Sequence, residues 1–348
     1  MTKSTVLGIH LDSGVPTGSS TYTTVVVFHG YACHGGIFAK LIPLAPSHNA
    51  RIVVVNRRDY PGSQPYSDID LKGLRNGNAA LKDGDQEKAR ALIAAFMRAR
   101  AREVYDFLAD LIEGGDVREA QPKKNAGGLV VVGWSFATVW MTALLAHVAE
   151  FETVAAPLSK YMRRVVILDG PYHVLGYQPP GTNIYNPLWD PDATVEDFAF
   201  WVSGYYRHGD TEGTLEGRTP LKSPAPTLMT LTDEERASTL FPSPSDPDGS
   251  DQMLLVGGRA SGVFSDLRKA AFALPPTGKN GAVRKDVEIR CVWCDASIWE
   301  MVWARWKMEE ELQAAKETRI SMREVESVRL AGCNHFVGGI AVARCMVC

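Results

Sequence analysis

The sequence predicts an α/β protein with a mostly parallel central sheet, flanking helices and an inserted helical cap. Continuous runs of Val, Ile and Leu recur along the chain, as in residues 25–28, 129–132 and 165–168. Such runs lack polar alternation and belong to strands buried on both faces. Helical patterns separate them, which is how parallel strands are joined. One long stretch, residues 171–286, breaks the alternation.

A short strand-like segment precedes Asp12-Ser13-Gly14, and Val25–Phe28 forms the first buried strand. Residues 37–44 read as a short helix ended by Pro46, and Arg51–Asn56 as the next strand. That strand runs into the turn Tyr60-Pro61-Gly62-Ser63, and residues 62–85, rich in Gly, Asn and Asp, read as loop. From Asp85 to Glu113, Ala89, Leu92, Ile93, Phe96, Val104, Phe107 and Leu108 recur at helical spacing until Gly114-Gly115 stops them. Leu129–Val132 is a strand with a helix following at once, from Phe136 to about Glu150, and Val165–Leu168 is another strand. Val287–Trp293 and Val325–Leu330 are the last two, with a helix over 299–316 between them.

Residues 171–286 carry Pro179-Pro180, Asn186-Pro187, Asp190-Pro191 and a cluster of aromatics from Phe198 to Tyr206. A structureless loop of that length inside a domain is improbable. The expected organisation is therefore a core of residues 1–170 and 287–348 with a cap over 171–286.

The 348 residues are 45% hydrophobic and 22% charged, enough for a large core without disulfides. A net charge of −3 gives no reason to expect nucleic acid or a membrane surface as partner. No apolar run reaches about 18 residues, and the N-terminus lacks the apolar core of a signal peptide. The expectation is a cytoplasmic protein acting on a small molecule, with oligomeric state left open. Six cysteines are present, and Cys291/Cys294 and Cys345/Cys348 have C-x-x-C spacing. The first pair lies on a strand, where residues three apart face opposite sides and do not converge on a metal. Free thiols, no metal and no organic cofactor are expected.

Gly133-Trp134-Ser135-Phe136-Ala137 follows a strand and opens a helix. That is the context of a nucleophile elbow, in which small flanking residues allow a sharp turn that exposes the serine. Ala137 stands where the usual pattern has Gly. His29-Gly30-Tyr31 ends an earlier strand, and acyl transfer needs donors aimed at a developing oxyanion. The N–H groups of Tyr31 and Phe136 are the candidates. Gly332-Cys333-Asn334-His335-Phe336 follows the last strand, where His335 is placed to serve as general base. His29, His34 and His173 are its rivals among eight histidines. For the orienting acid, Asp295 after the penultimate strand gives the order Ser, Asp, His; Asp169 and Glu300 are alternatives. Gly30, Trp134, Tyr172, His173, Trp201 and Tyr205 are expected around the substrate, although Phe198, Trp201 and Tyr205 also have the spacing of one packed helix face.

These motifs, with the turn Asn56-Arg57-Arg58-Asp59-Tyr60-Pro61-Gly62-Ser63, resemble the α/β-hydrolase superfamily, in particular fungal intracellular members with a long cap. The resemblance covers nearly all the chain outside the cap. A serine in the elbow separates it from epoxide hydrolases and haloalkane dehalogenases, which place Asp there. The resemblance implies hydrolysis of an ester or lactone of a small, largely apolar molecule. It equally admits cyclases and lyases of natural-product pathways that use the same triad, and relatives that only bind a ligand.

Overall fold

The computed structural model describes residues 6–151, 158–274 and 287–336. Its strands are β1 (Gly8–Asp12), β2 (Thr23–Phe28), β3 (Ala50–Asn56), β4 (Leu129–Trp134), β5 (Met162–Leu168), β6 (Glu288–Cys294) and β7 (Val325–Leu330). They form one sheet in the order β1-β3-β2-β4-β5-β6-β7. β1 runs antiparallel to β3, and every other pairing is parallel. Every residue of β2, β3, β4 and β5 is buried, so both faces of the sheet centre are covered. The edge strands β1 and β7 are partly exposed.

Helices α1 (Asp68–Lys82), α2 (Gln86–Glu113), α3 (Thr138–Phe151), α6 (Ser250–Ala260) and α7 (Val263–Phe272) pack on one another, and α3 lies on β4 and β5. α8 (Trp299–Glu317) packs on β6. A largely parallel sheet with a serine turn between β4 and α3 is the α/β-hydrolase fold.

Helix α1 occupies a stretch that the sequence marks as loop. Ser67 and Asp70 close a capping box at its start, each side chain bonding the other's backbone N–H. The glycines that suggest a loop serve contact instead. A Cβ on Gly77 would stand 2.7 Å from Ile93 Cγ1, so its absence lets α1 lie against α2.

Within 171–286, α6 and α7 join the helical layer beside α1 and α3. Residues 171–249 contain only α4 (Val195–Val202), α5 (Asp233–Ala237) and short 3-10 turns. Because the strands are parallel, the carboxyl ends of β2, β4, β5, β6 and β7 lie along one side of the sheet. Residues 29–31, 135, 169, 295 and 335 follow those ends. Among the described residues, no helix is long and apolar enough to cross a membrane.

Candidate active site

Ser135 begins the turn after β4 with φ of +56°, a left-handed conformation uncommon for a residue with a side chain. The turn closes so tightly that a Cβ on Gly133 would lie 2.5 Å from the Ala137 carbonyl oxygen and 2.5 Å from Met141 Cγ. Position 133 therefore has to be glycine. Ala137 is fully buried in the 3-10 turn Ser135–Ala137, which runs straight into α3. The extra methyl is accommodated.

Ser135 Oγ lies 2.9 Å from His335 Nε2, and His335 Nδ1 lies 2.8 Å from Asp169 Oδ2. All three residues are buried. Asp169 leaves β5 with φ of +47° and accepts two further hydrogen bonds, from the Cys294 N–H at 2.9 Å and the Ser297 hydroxyl at 2.7 Å. A carboxylate with its lone pairs so occupied holds one geometry toward the imidazole and fixes the Nδ1–H tautomer.

Asp295, the acid preferred from sequence, is not the partner of His335. It follows β6, and its carboxylate is taken by the Arg329 guanidinium at 2.6 Å and the Gly332 N–H at 2.6 Å. It braces the turn after β7 from the outside. Both aspartates sit at strand ends in the order Ser, Asp, His, so the sequence signature is the same. Only the choice of strand, β5 beside β4 or β6 one step further, separates them.

The segment after β2 is held by a buried ion pair. Arg57 donates to both oxygens of Asp251 at 2.6 Å, to the Gly30 carbonyl at 2.9 Å and to the His29 carbonyl at 3.2 Å. Tyr60 donates to the same carboxylate at 2.7 Å. The guanidinium carbon lies 4.5 Å from the centre of the Trp140 ring. Gly30 is thereby pressed onto the elbow: a Cβ there would stand 2.8 Å from Ser135 Cβ and 3.2 Å from its Oγ. The Tyr31 hydroxyl donates to Gln252 at 2.6 Å, anchoring the segment to α6. Burial pushes that phenol's pKa up, so it stays a neutral donor.

Ser135, Phe136, His335, Tyr31, His173 and Trp201 line one cavity of about 30 Å³, together with Glu300 and apolar side chains. The volume holds little more than a water or two. Tyr31, Leu188 and Phe198 also line a larger outer cleft of about 720 Å³, so these three side chains stand between Ser135 and the surface.

Three other expected pocket residues lie elsewhere. The Trp134 ring stacks on His335 at 4.8 Å and donates to the His335 carbonyl at 2.9 Å, backing the imidazole away from the cavity. Tyr172 is buried in a stack on Trp299 at 5.4 Å. Tyr205 is half-buried outside the cavity, and its neighbour Tyr206 is buried. The rival histidines are occupied as well. His29 Nε2 accepts the Arg57 N–H, and His34 Nδ1 accepts the Gly36 N–H at the start of a 3-10 turn. Cys291 and Cys294 are free buried thiols, and Cys345 and Cys348 lie outside the described residues. No group of three metal-binding side chains occurs among the described residues.

Sequence reasoning missed Ser297, Asn186 and the Arg57–Asp251 pair. Arg57 was visible as a charge in an apolar strand exit. Asp251, 194 positions later, offered no signal.

No protein-family model and no curated protein matches the chain. Among solved structures, a bromoperoxidase from Bacillus anthracis is similar at 13% identity and a TM-score of 0.40, covering 94% of this chain and 87% of that one. An epoxide hydrolase from Vigna radiata is similar at 14% identity and a TM-score of 0.40, covering 90% and 85%. A lipase-esterase related protein from Clostridium acetobutylicum is similar at 11% identity and a TM-score of 0.42, covering 93% of each chain. Likeness this distant leaves the roles of Ser135, Asp169 and His335 to their own geometry.

Proposed function

We propose that the chain is a serine-dependent hydrolase that cleaves an ester or lactone of a small, largely apolar molecule. The supporting observation is the unbroken hydrogen-bond relay from Ser135 through His335 to Asp169, 2.9 Å and 2.8 Å in its two links. His335 takes the proton from Ser135 as the oxygen attacks the carbonyl, and Asp169 stabilises the imidazolium that forms. The tetrahedral oxyanion is received by the N–H groups of Tyr31 and Phe136. Phe136 is the second residue of a 3-10 turn, where an N–H has no acceptor within its own helix. His335 then returns the proton to the leaving alcohol. Water, deprotonated by the same imidazole, releases the acid from Ser135.

The narrow inner cavity favours a second reading, in which the same triad serves a cyclase or lyase. A largely apolar wall set behind Tyr31, Leu188 and Phe198 gives a nucleophile within the substrate the advantage over bulk solvent.

Intact-protein mass spectrometry with a fluorophosphonate and with activated esters tests the first reading. The expected result is one adduct on Ser135 and release of free acid from the esters, both abolished in Ser135→Ala. Undiminished ester turnover by Ser135→Ala overturns it. Adduct formation without hydrolysis favours the second.

A further inference from the structure

A second carboxylate–imidazole pair lines the cavity that holds Ser135, and the proposed triad does not use it. His173 Nδ1 lies 3.0 Å from Glu300 Oε1, and the same oxygen accepts the Asn186 side-chain N–H at 2.7 Å. All three residues are more than nine-tenths buried. They come from the exit of β5, from a 3-10 turn below position 190, and from the first turn of α8. Three separate segments thus converge on one carboxylate oxygen.

Two polar atoms of this group remain. Among the described residues, neither Glu300 Oε2 nor His173 Nε2 makes a hydrogen bond, and both residues face the cavity. Both atoms are open to whatever enters the cavity. Of the other wall residues, Val174, Leu188, Val202, Leu255, Ile298 and Met301 are apolar, and the polar groups of Tyr31, Ser135, His335 and Trp201 bond elsewhere.

We propose that His173 and Glu300, fixed by Asn186, bind a hydroxyl group of the substrate whose carbonyl is held at Ser135. The hydroxyl follows from the donor and acceptor count. With Nδ1–H committed to Glu300, a neutral His173 presents a lone pair at Nε2, and Glu300 Oε2 presents another. Both call for a donor. A hydroxyl donates its proton to one of the two, and its oxygen accepts from a water whose other proton goes to the second. A substrate carboxylate meets repulsion from Glu300, and an ether or methylene leaves the acceptors bare. The preferred substrates are therefore bifunctional: an ester or lactone carbonyl with a hydroxyl some carbons away, joined by an apolar chain, and seated with Tyr31, Leu188 and Phe198 displaced so that the inner cavity opens into the outer cleft.

This assignment rests on Ser135 as the reacting pole, so its test is made independent of turnover. Calorimetric titration of Ser135→Ala with methyl hexanoate and its monohydroxy derivatives measures binding alone. At least one hydroxy ester is expected to bind about tenfold or more tightly than methyl hexanoate, the worth of one hydrogen bond to a charged group. Adding His173→Ala or Glu300→Gln is expected to bring the ratio down to near one. Equal binding of all the esters, no binding of any, or a preference that survives both substitutions overturns the proposal. So does tighter binding of the corresponding amino ester. If neither added variant folds, the ratio measured in Ser135→Ala alone still decides. Turnover of the same esters by the unmodified protein separately tests the serine-hydrolase reading.

Discussion

Gly30 and Ser135 approach so closely that a Cβ at position 30 would stand 2.8 Å from the serine Cβ, with Trp134 Cε3 at 3.1 Å on its other side. Neither neighbour yields easily, since Ser135 is fixed by its strained turn and Trp134 by its stack on His335. Gly30→Ala is therefore expected to displace the serine by a few tenths of an ångström. The expected outcome is a fall in kcat of about tenfold to a hundredfold, measured on an activated ester, with the fold retained by circular dichroism. Unchanged kcat would show that the segment after β2 gives way more readily than the elbow.

The two aspartates at neighbouring strand ends give opposite expectations. Asp169→Asn removes the anionic acceptor that sets the His335 tautomer, and kcat should fall on the order of 10⁴-fold. Asp295→Asn weakens a largely buried carboxylate that holds Arg329 and the Gly332 N–H, and should cost about 1–3 kcal/mol of stability. Its kcat should stay close to that of the unmodified protein. Steady-state kinetics on the two variants side by side checks both statements.

The Arg57–Asp251 pair separates stability from activity. Asp251→Asn leaves a buried guanidinium short of its counter-charge and should cost about 3–5 kcal/mol in urea denaturation. Replacing both partners with apolar residues of similar volume, as in Arg57→Met with Asp251→Leu, should recover much of that loss. Activity should not recover with it, because the His29 and Gly30 carbonyls lose the donor that holds the oxyanion segment.

His29 sets an acid limit on stability. Burial, and then the neighbouring Arg57 charge, hold its pKa well below 6.5. Its Nε2 accepts the Arg57 N–H, so the folded protein keeps the ring neutral. Below about pH 6.5 the unfolded chain binds a proton there that the folded chain does not. Stability should therefore be fully present above that pH and fall as pH drops, by up to about 1.4 kcal/mol per pH unit. Urea denaturation at a series of pH values should show this slope, and His29→Gln should flatten it.

The strands were legible because a buried parallel strand writes itself locally. Val325–Leu330 has the same bounds in sequence and structure, and the runs at 25–28, 51–56, 129–132 and 165–168 differ only by a residue or a few at their ends. Helix α1 was not legible, because Gly73 and Gly77 carry a loop signature whatever they pack against. The Ser67–Asp70 capping box was the signal available for it. Trp134 and Tyr172 were placed in the pocket by their nearness in sequence to site residues. Their rings turned out to back His335 and Trp299, since side-chain direction at a strand exit is a matter of local torsion and packing.

By itself, the sequence determined the α/β architecture, the serine on its strand-to-helix turn and the histidine after the last strand. Each of these rests on neighbours within a few positions: apolar continuity, small residues around a serine, and order along the chain. Only the tertiary structure decided that Asp169 rather than Asp295 meets His335, that Arg57 finds Asp251, and that His173, Asn186 and Glu300 converge on the same cavity. Those partners lie from 114 to 194 residues apart. Hydrogen-bond and ion-pair geometry at such separations is set by which strand ends and helix starts the folded sheet brings together. No local pattern of residues encodes it.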